Sequence, residues 1–529
     1  MIKISHCLFA VLCLGSLFIC SRQFTDSYIV PKWCFALFAL FVALIYGAFK
    51  MIFSKPDKEK QTDVSAYGFI IILSCFLQAV LGIMQFFGLF QTSSHFEVTG
   101  SFENPAGFAS CLCVGLPFIA FISLENNHKY IRYAGWVAGG VMAVAIVLSQ
   151  SRAAIVSIAV ICITILCTKF FRKRWVKYLS FAGFVLLLTG CYWLKKDSAD
   201  GRLLIWQCDV NMMKDAPWFG HGIGSFEAHY MDYQADYFRQ SGQSRYYLLA
   251  GNVKRPFNEF LGILLNFGFC GLLVVFIMIA LLVYCYWKYP CMEKIVALYS
   301  LASIGIFSLF SYPLTYPFTW VIIFVCVCIL IKEYMVRILT LSVIRNVLCI
   351  LVVLCSLGGI YKLAEYVKSE KEWGEASRLA LCGAYDKALP LYEKLEITLD
   401  DNPYFLYNYA AILLENKQYE ESLHTALRCR KYWADYDLEL IIGESYQNLG
   451  KYELAEKYFN SASMMCPSRF LPLYKLFHLY KKIGDRNRIL CVAGMIIDKP
   501  MKFKTPAIRM MKREVEREQV RLLNEENDE

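Results

Sequence analysis

Before residue 365 the chain is built from apolar runs of about 18–25 residues, and a run of that length crosses the hydrocarbon core of a bilayer. Backbone N–H and C=O groups in lipid must be satisfied within the segment, so each run is expected to be a helix. The runs fall near 4–20, 33–53, 66–90, 105–124, 132–149, 153–170, 176–194, 258–286, 295–312, 316–335 and 346–363. This pattern predicts an all-α, polytopic membrane domain over residues 1–364 with about eleven spans. The composition agrees, at 57% hydrophobic and 19% charged, against about half and a quarter in soluble chains. The first run, Cys7 to Cys20, has no small-residue cleavage site behind it and is read as a span, not a signal peptide.

Charge then orients the spans. With the N-terminus inside, the inner short segments hold seventeen Lys and Arg: Lys3, Lys50, Lys55, Lys58, Lys60, Lys129, Arg132, Lys169, Arg172, Lys173, Arg174, Lys177, Lys288, Lys294, Lys332, Arg337 and Arg345. The outer ones hold Arg22, Lys32 and Arg152. The positive-inside rule therefore predicts a cytoplasmic N-terminus. An odd number of spans puts the long 195–257 loop and everything after 364 outside. The net charge of +10 resides largely in these short loops, so membrane lipids are expected partners and nucleic acid is not. Most of the 22 cysteines lie in apolar runs, where Cys acts as a small apolar residue. No Cys or His spacing points to a metal. Cys382, Cys429, Cys466 and Cys491 are expected to be free thiols.

After 365 the sequence turns polar and repeats itself. Ala384-Tyr385-Asp386-Lys387-Ala388, Gln418-Tyr419-Glu420-Glu421-Ser422 and Lys451-Tyr452-Glu453-Leu454-Ala455 place their tyrosines 34 and 33 residues apart. That is the period of a tetratricopeptide helix–turn–helix unit. Residues 365–500 are thus expected to form a soluble α-solenoid of such repeats, and 501–529 a charged helical tail. Arrays of this kind bind a peptide or a protein partner on their concave face.

Several segments carry chemistry. Arg152, in Ser149-Gln150-Ser151-Arg152-Ala153-Ala154, lies between two apolar runs, where an arginine is expensive. It either snorkels at the surface or presents its guanidinium to an anionic group, which it matches bidentately. Arg202 opens Gly201-Arg202-Leu203-Leu204-Ile205-Trp206, read as an outer helix that continues to Lys214. Pro217-Trp218-Phe219-Gly220-His221-Gly222-Ile223-Gly224-Ser225-Phe226 has glycine at every second position, which allows tight turns and close backbone approach. No Walker lysine accompanies it, so it is not a nucleotide loop. Arg255-Pro256-Phe257-Asn258-Glu259 leads into a span containing Gly268-Phe269-Cys270-Gly271. Asn258 suits a helix cap there, and Glu259 the positive end of the helix dipole.

Taken in order, Gly100-Ser101-Phe102-Glu103-Asn104-Pro105, Ser151-Arg152, Gly201-Arg202 with Trp206, the Gly220/Gly222/Gly224 run, and Asn258 followed by Gly268-x-x-Gly271 resemble the O-antigen ligase family, over roughly residues 60–340. That family includes related O-antigen polymerases and bacterial O-oligosaccharyltransferases. The resemblance implies a GT-C-like glycosyltransferase that needs neither metal nor cofactor. It would move a glycan from undecaprenyl diphosphate at the outer face of a bacterial inner membrane. The acceptor would be a lipid A core sugar or, in the related activities, a growing glycan chain or a protein hydroxyl. Arg152 and Arg202 match the family's diphosphate-binding arginines, and Arg255 joins them as a third candidate. Asn104, Asn258, Gly220, Gly222 and Gly224 are supporting positions.

One departure stands out. The family has His-Asn where this chain has Phe257-Asn258, and phenylalanine takes no proton. The candidate substitutes as general base are Glu259, His221 and Glu103. The missing histidine also leaves open a reading of another class, a non-catalytic membrane anchor that carries a repeat scaffold.

Overall fold

A computed structural model describes residues 3–53, 64–92, 96–125, 128–169, 174–242, 244–339, 342–502 and 504–528. Among the described residues there are helices and no strands. In chain order the helices are α1 (Ile4–Phe18), α2 (Ile29–Phe53), α3 (Val64–Phe86), α4 (Pro105–Glu125), α5 (Lys129–Leu148), α6 (Arg152–Lys169), α7 (Arg174–Leu194), α8 (Lys196–Asp215), α9 (Ser225–Ser241), α10 (Glu259–Lys288) and α11 (Met292–Ser308). They continue with α12 (Pro317–Leu330), α13 (Lys332–Leu339), α14 (Ser342–Leu381), α15 (Tyr385–Glu396), α16 (Pro403–Glu415), α17 (Tyr419–Arg430), α18 (Tyr436–Asn448), α19 (Tyr452–Met465), α20 (Leu471–Ile483), α21 (Arg486–Asp498) and α22 (Pro506–Asp528).

Six of these, α2, α3, α4, α5, α10 and α14, are long and apolar enough to cross a membrane, and α1, α12 and parts of α6 and α7 are shorter apolar helices. The architecture fits a helical membrane protein. Of the charges that orient the spans, Lys55, Lys58, Lys60, Arg172 and Lys173 lie outside the described residues. Lys32 is no loop residue: it lies inside α2 and is 1% exposed.

The chain forms two compact units. The first comprises Met1–Leu194, Phe257–Phe260 and Leu273–Gly374; the second comprises Lys195–Pro256, Leu261–Leu272 and Glu375–Glu529. At the centre of the first unit is α4, which packs on α3, α5 and α11. Its Phe108, Leu112 and Phe118 are fully buried. A helix with apolar residues on every side belongs in such a place. Because α4 begins at Pro105, the Gly100–Pro105 motif is anchored to the most enclosed helix of the unit.

The second unit joins the polar helices of the 195–257 loop, α8 and α9, to those after Gly374. The repeat tyrosines Tyr385, Tyr419 and Tyr452 each begin the second helix of a pair, α15, α17 and α19. The first helices α16 and α18 start at Asn402 and Asp435, whose side chains accept from the backbone N–H groups two and three residues on; this satisfies donors that a helix start leaves open. Tyr392, Phe405, Phe459 and Phe477 are fully buried among these helices. The tail is also packed: Lys512 of α22 donates to the carbonyls of Ile497 (2.6 Å) and Lys499 (2.9 Å). Cys382, Cys429, Cys466 and Cys491 are free thiols.

One buried group in this unit costs stability. Asp209 of α8 is 1% exposed, and neither carboxylate oxygen meets a hydrogen-bond partner. Burial raises its pKa well above the ordinary 3.8, because an apolar setting disfavours the charged form. The folded state then holds a proton that the unfolded chain releases, so stability falls as pH rises from about 4 through the raised value. Asp209→Asn, which cannot ionise, is expected to flatten that dependence and to melt higher than the wild type at mildly alkaline pH. Thermal unfolding of both proteins across pH checks this; a wild type whose melting temperature is as flat as the variant's would contradict it.

Candidate functional site

In the first unit the site grows from a polar turn beside apolar helices. Gly100 adopts a left-handed φ of 57° and turns the chain toward α4. Two glutamines of α3, seven residues apart and so on one face, hold the turn. The Gln85 side chain accepts from the N–H groups of Thr99 (3.0 Å) and Gly100 (2.7 Å) and donates to the Gly100 carbonyl (2.8 Å). Gln78 accepts from the Ser101 N–H at 3.2 Å. The buried Lys32 ammonium donates to the Ser101 carbonyl and lies 4.5 Å from the Phe102 ring centroid. Backbone with no water near must find partners of this kind.

The turn presents Glu103 and Asn104 to the connection between α11 and α12. Glu103 Oε1 accepts from the Tyr316 hydroxyl (2.7 Å) and from Asn104 Nδ2 (2.9 Å). Asn104 Nδ2 also lies 3.0 Å from the Tyr316 hydroxyl and 3.1 Å from that of Tyr312. Glu103 Oε2 is buried without a hydrogen-bond partner. The segment 257–259 meets the same connection. The Phe257 ring packs 5.4 Å from Tyr312. Glu259 accepts from the Leu314 N–H at 3.0 Å. Asn258 accepts from the Phe260 N–H at 3.0 Å and so caps α10. The structure thus gathers Glu103, Asn104, Phe257 and Glu259 around Tyr312 and Tyr316, two residues that the motif reading missed. Their sequence signal is the doubled Tyr-Pro in Tyr312-Pro313-Leu314-Thr315-Tyr316-Pro317.

Arg152 opens α6, and its Nη1 donates to the Cys191 carbonyl at 3.1 Å, in the last turn of α7. The C-terminal end of a helix carries partial negative charge and suits a cation. Just before it, Gln150 has a φ of 52°, and Phe257 has a φ of 53°. Among the described residues the left-handed region holds three residues other than glycine, and two of them lie in these motifs. Such conformations cost about 1–3 kcal/mol each and concentrate at functional sites.

The second unit holds Arg202, Arg255, His221 and the glycine run. Arg202 and Trp206 lie one turn apart on α8, hence on one face. The Trp206 indole donates to the Pro256 carbonyl at 3.1 Å, next to Arg255. Arg255 and Lys254 both act on Glu227, whose carboxyl burial pushes up and these cations and Tyr404 pull back down. His221 Nε2 lies 2.9 Å from the Met212 carbonyl, so it carries the proton and donates. Among the described residues no three His, Cys, Asp or Glu side chains are grouped to hold a metal ion.

Gly220, Gly222 and Gly224 all have positive φ, and at Gly220 the chain comes into close contact with the backbone of a broken helix. At Gly268, with a φ of 63° and ψ of −164°, α10 is interrupted. The carbonyls of Leu265 and Asn266 accept from His221 N–H (2.8 Å) and Gly222 N–H (3.0 Å); the N–H groups of Phe269 and Cys270 donate to Pro217 (2.8 Å) and Trp218 (3.1 Å). The run therefore supplies the hydrogen bonds that the interruption takes away. The Asn266 side chain accepts from Ser225 Oγ at 2.9 Å and completes the splice.

Residues 137–276 match the family model of the O-antigen ligases. No curated protein matches the chain. The match covers 140 of 529 residues. It contains Arg152, Arg202, His221, the glycine run, Arg255 and Gly268, and excludes Glu103, Tyr312, Tyr316 and the repeats. It supports the O-antigen ligase family and, in general terms, glycan transfer of the ligase or polymerase type.

The splice has a direct test. A Cβ on Gly220 would lie 2.5 Å from the Asn266 carbonyl carbon, and one on Gly268 would lie 2.3 Å from Trp218 backbone atoms. Gly220→Ala and Gly268→Ala are each expected to lose at least about 1–2 kcal/mol from the left-handed backbone alone, with the overlap in addition. Gly183→Ala, which meets nothing within 4 Å inside α7, is expected to melt no lower than the wild type. Melting of detergent-solubilised protein distinguishes the three; equal melting temperatures would contradict the assignment.

Proposed function

We propose that this protein transfers a glycan from an undecaprenyl-diphosphate carrier to a sugar hydroxyl of a lipid A core, at the outer face of the bacterial inner membrane. The observation that carries the reading is the O-antigen ligase match over 137–276, the stretch that holds Arg152 and Arg202. In the reaction the acceptor oxygen bonds the anomeric carbon of the donor sugar. The bond from that carbon to the diphosphate oxygen breaks, and its electron pair leaves with the lipid diphosphate. Arg152, Arg202 and Arg255 are the residues proposed to stabilise that charge, by guanidinium contacts suited to phosphate oxygens.

The acceptor hydroxyl must also lose a proton. Of the three candidate bases, Glu259 receives the Leu314 N–H, and His221 is tied to the Met212 carbonyl through Nε2. Glu103 has one oxygen fixed by Tyr316 and Asn104 and the other buried without a partner. Glu103 is therefore the preferred base, oriented by Tyr316, and it takes the part that Phe257 cannot play. A diphosphate is a good leaving group, so a carboxylate of modest basicity suffices.

The proposed seat for the donor's lipid tail is an apolar cleft in the first unit. A cleft of about 570 Å³ is lined by Leu8, Leu12, Leu40, Trp33, Trp320 and Phe324. Trp33 and Trp320 at its edge donate to the Thr315 and Leu314 carbonyls (2.8 and 2.7 Å), on the same connection that carries Tyr312 and Tyr316. An isoprenoid chain fits such a lining. The tetratricopeptide-like repeats and their outer location complete the proposed arrangement.

Three variants test the reading in a deletion strain. Arg152→Ala and Arg202→Ala are expected to abolish surface glycan attachment while the protein still inserts, and Glu103→Gln to lower it at least about hundredfold, the usual contribution of a general base. Acceptor analysis separates the related activities: lost lipid A–glycan supports ligation, shortened chains a polymerase, and unmodified proteins an oligosaccharyltransferase. Wild-type glycan in both arginine variants would end the proposal.

A further inference from the structure

Residues 250–256 form no helix or strand, yet the second unit holds them almost residue by residue. Ser468 Oγ donates to the Ala250 carbonyl at 3.3 Å. Gln234 Nε2 donates to the Gly251 carbonyl (3.0 Å) and to that of Met465 (2.6 Å). Asn252 Nδ2 donates to Asp435 Oδ2 at 2.7 Å. The Lys254 ammonium lies 4.6 Å from the Trp433 ring centroid and 4.8 Å from that of Tyr404.

These contacts have an order. They run from the α19–α20 connection, through the α17–α18 connection, to the start of α16. The segment therefore passes the starts of α20, α18 and α16 in turn, against chain direction. The surface used is the edge where the second helix of one pair turns into the first helix of the next. Asp435 serves two ends at once: Oδ1 caps α18 and Oδ2 takes Asn252. Beside the segment, α9 lies on the same edge. The Ala434 N–H donates to the Glu227 carbonyl at 2.8 Å. Arg430 bridges Asp232 of α9 and Glu439 of α18, each at 2.5 Å.

We propose that the partner of the repeat array along this edge is the chain's own 250–256 segment, held as an extended peptide, and that this hold positions Arg255. The role given to Arg255 rests on the glycan-transfer reading above. Trp433, Asp435, Arg430 and Lys254 are positioning residues on this account. Main-chain carbonyls at 250, 251 and 256 are fixed by side chains from three directions, so the backbone that carries Arg255 has little freedom. The repeats then act on the reaction without touching substrate, and the loop and the repeats form one functional piece.

The test uses the full-length protein in lipid nanodiscs, with two readouts. The first is hydrogen exchange of peptides covering 244–256, which needs no substrate. Lys254→Met and Trp433→Ala are expected to speed exchange there by about tenfold. Lys254→Met lies on the loop side and leaves the repeat core intact should Trp433→Ala unfold it. The second is transfer from a polyprenyl-diphosphate-linked glycan. Both variants are expected to raise the donor KM several-fold with a smaller change in kcat, and Lys254→Arg, which keeps a cation over the rings, to restore it. Unchanged exchange in both variants would overturn the hold. Faster exchange with wild-type KM would overturn the positioning. A wild-type protein that transfers nothing would instead refute the functional reading, while the exchange result still decides whether the segment is held.

Discussion

Backbone amides beside hydrocarbon have no water to bond, and every interruption of a helix there must bring its own partners. One such break lies inside α10, at Gly268, and a second set of enclosed peptide groups lies in the α3–α4 connection. At Thr99–Phe102 the partners are side chains: Gln78 and Gln85 from α3 and Lys32 from α2. At Gly268 they are other backbone groups, from the Pro217–Gly222 run. The first solution delivers Glu103 and Asn104 to Tyr312 and Tyr316. The second fixes the loop that carries His221. Glu103, Asn104 and His221 are thus placed by devices whose first duty is to satisfy peptide groups.

The same economy appears in the second unit. A connection of about sixty residues with its own helices is long enough to wander, but α9 packs on α19, α8 packs on α9, and the 250–256 segment is pinned to the repeats. Ordering such a segment costs conformational entropy at every residue. Contacts at nearly every position offset that cost, and a functional residue at its end, Arg255, gives the expenditure a purpose.

Much of this was legible in the sequence. The helices follow the apolar runs, since a run of that length dictates its own hydrogen bonding. The repeat tyrosines begin the second helix of each pair because the 33- and 34-residue spacing reports a local unit. Asn258 caps α10 as its type and place imply. What escaped depends on contacts distant in sequence. Tyr316 reaches Glu103 across 213 positions and Asn252 reaches Asp435 across 183. No periodicity announces such pairs. Lys32 counted as a loop charge because composition cannot separate a lysine beside a span from one buried at its start. The glycine run signalled close approach correctly as a backbone property, but the sequence did not tell what it approaches.

We propose that a lipid-diphosphate donor is consumed with Glu103 as base and the arginines on the leaving group. The most direct measurement is turnover by purified full-length protein in proteoliposomes, supplied with a polyprenyl-diphosphate-linked glycan and a lipid A core acceptor, with free lipid diphosphate and glycosylated acceptor both quantified. Equal amounts of the two products are expected, with Glu103→Gln slowed and Arg152→Ala inactive. Donor left intact by the wild-type protein, or products formed at the wild-type rate by both variants, would contradict it.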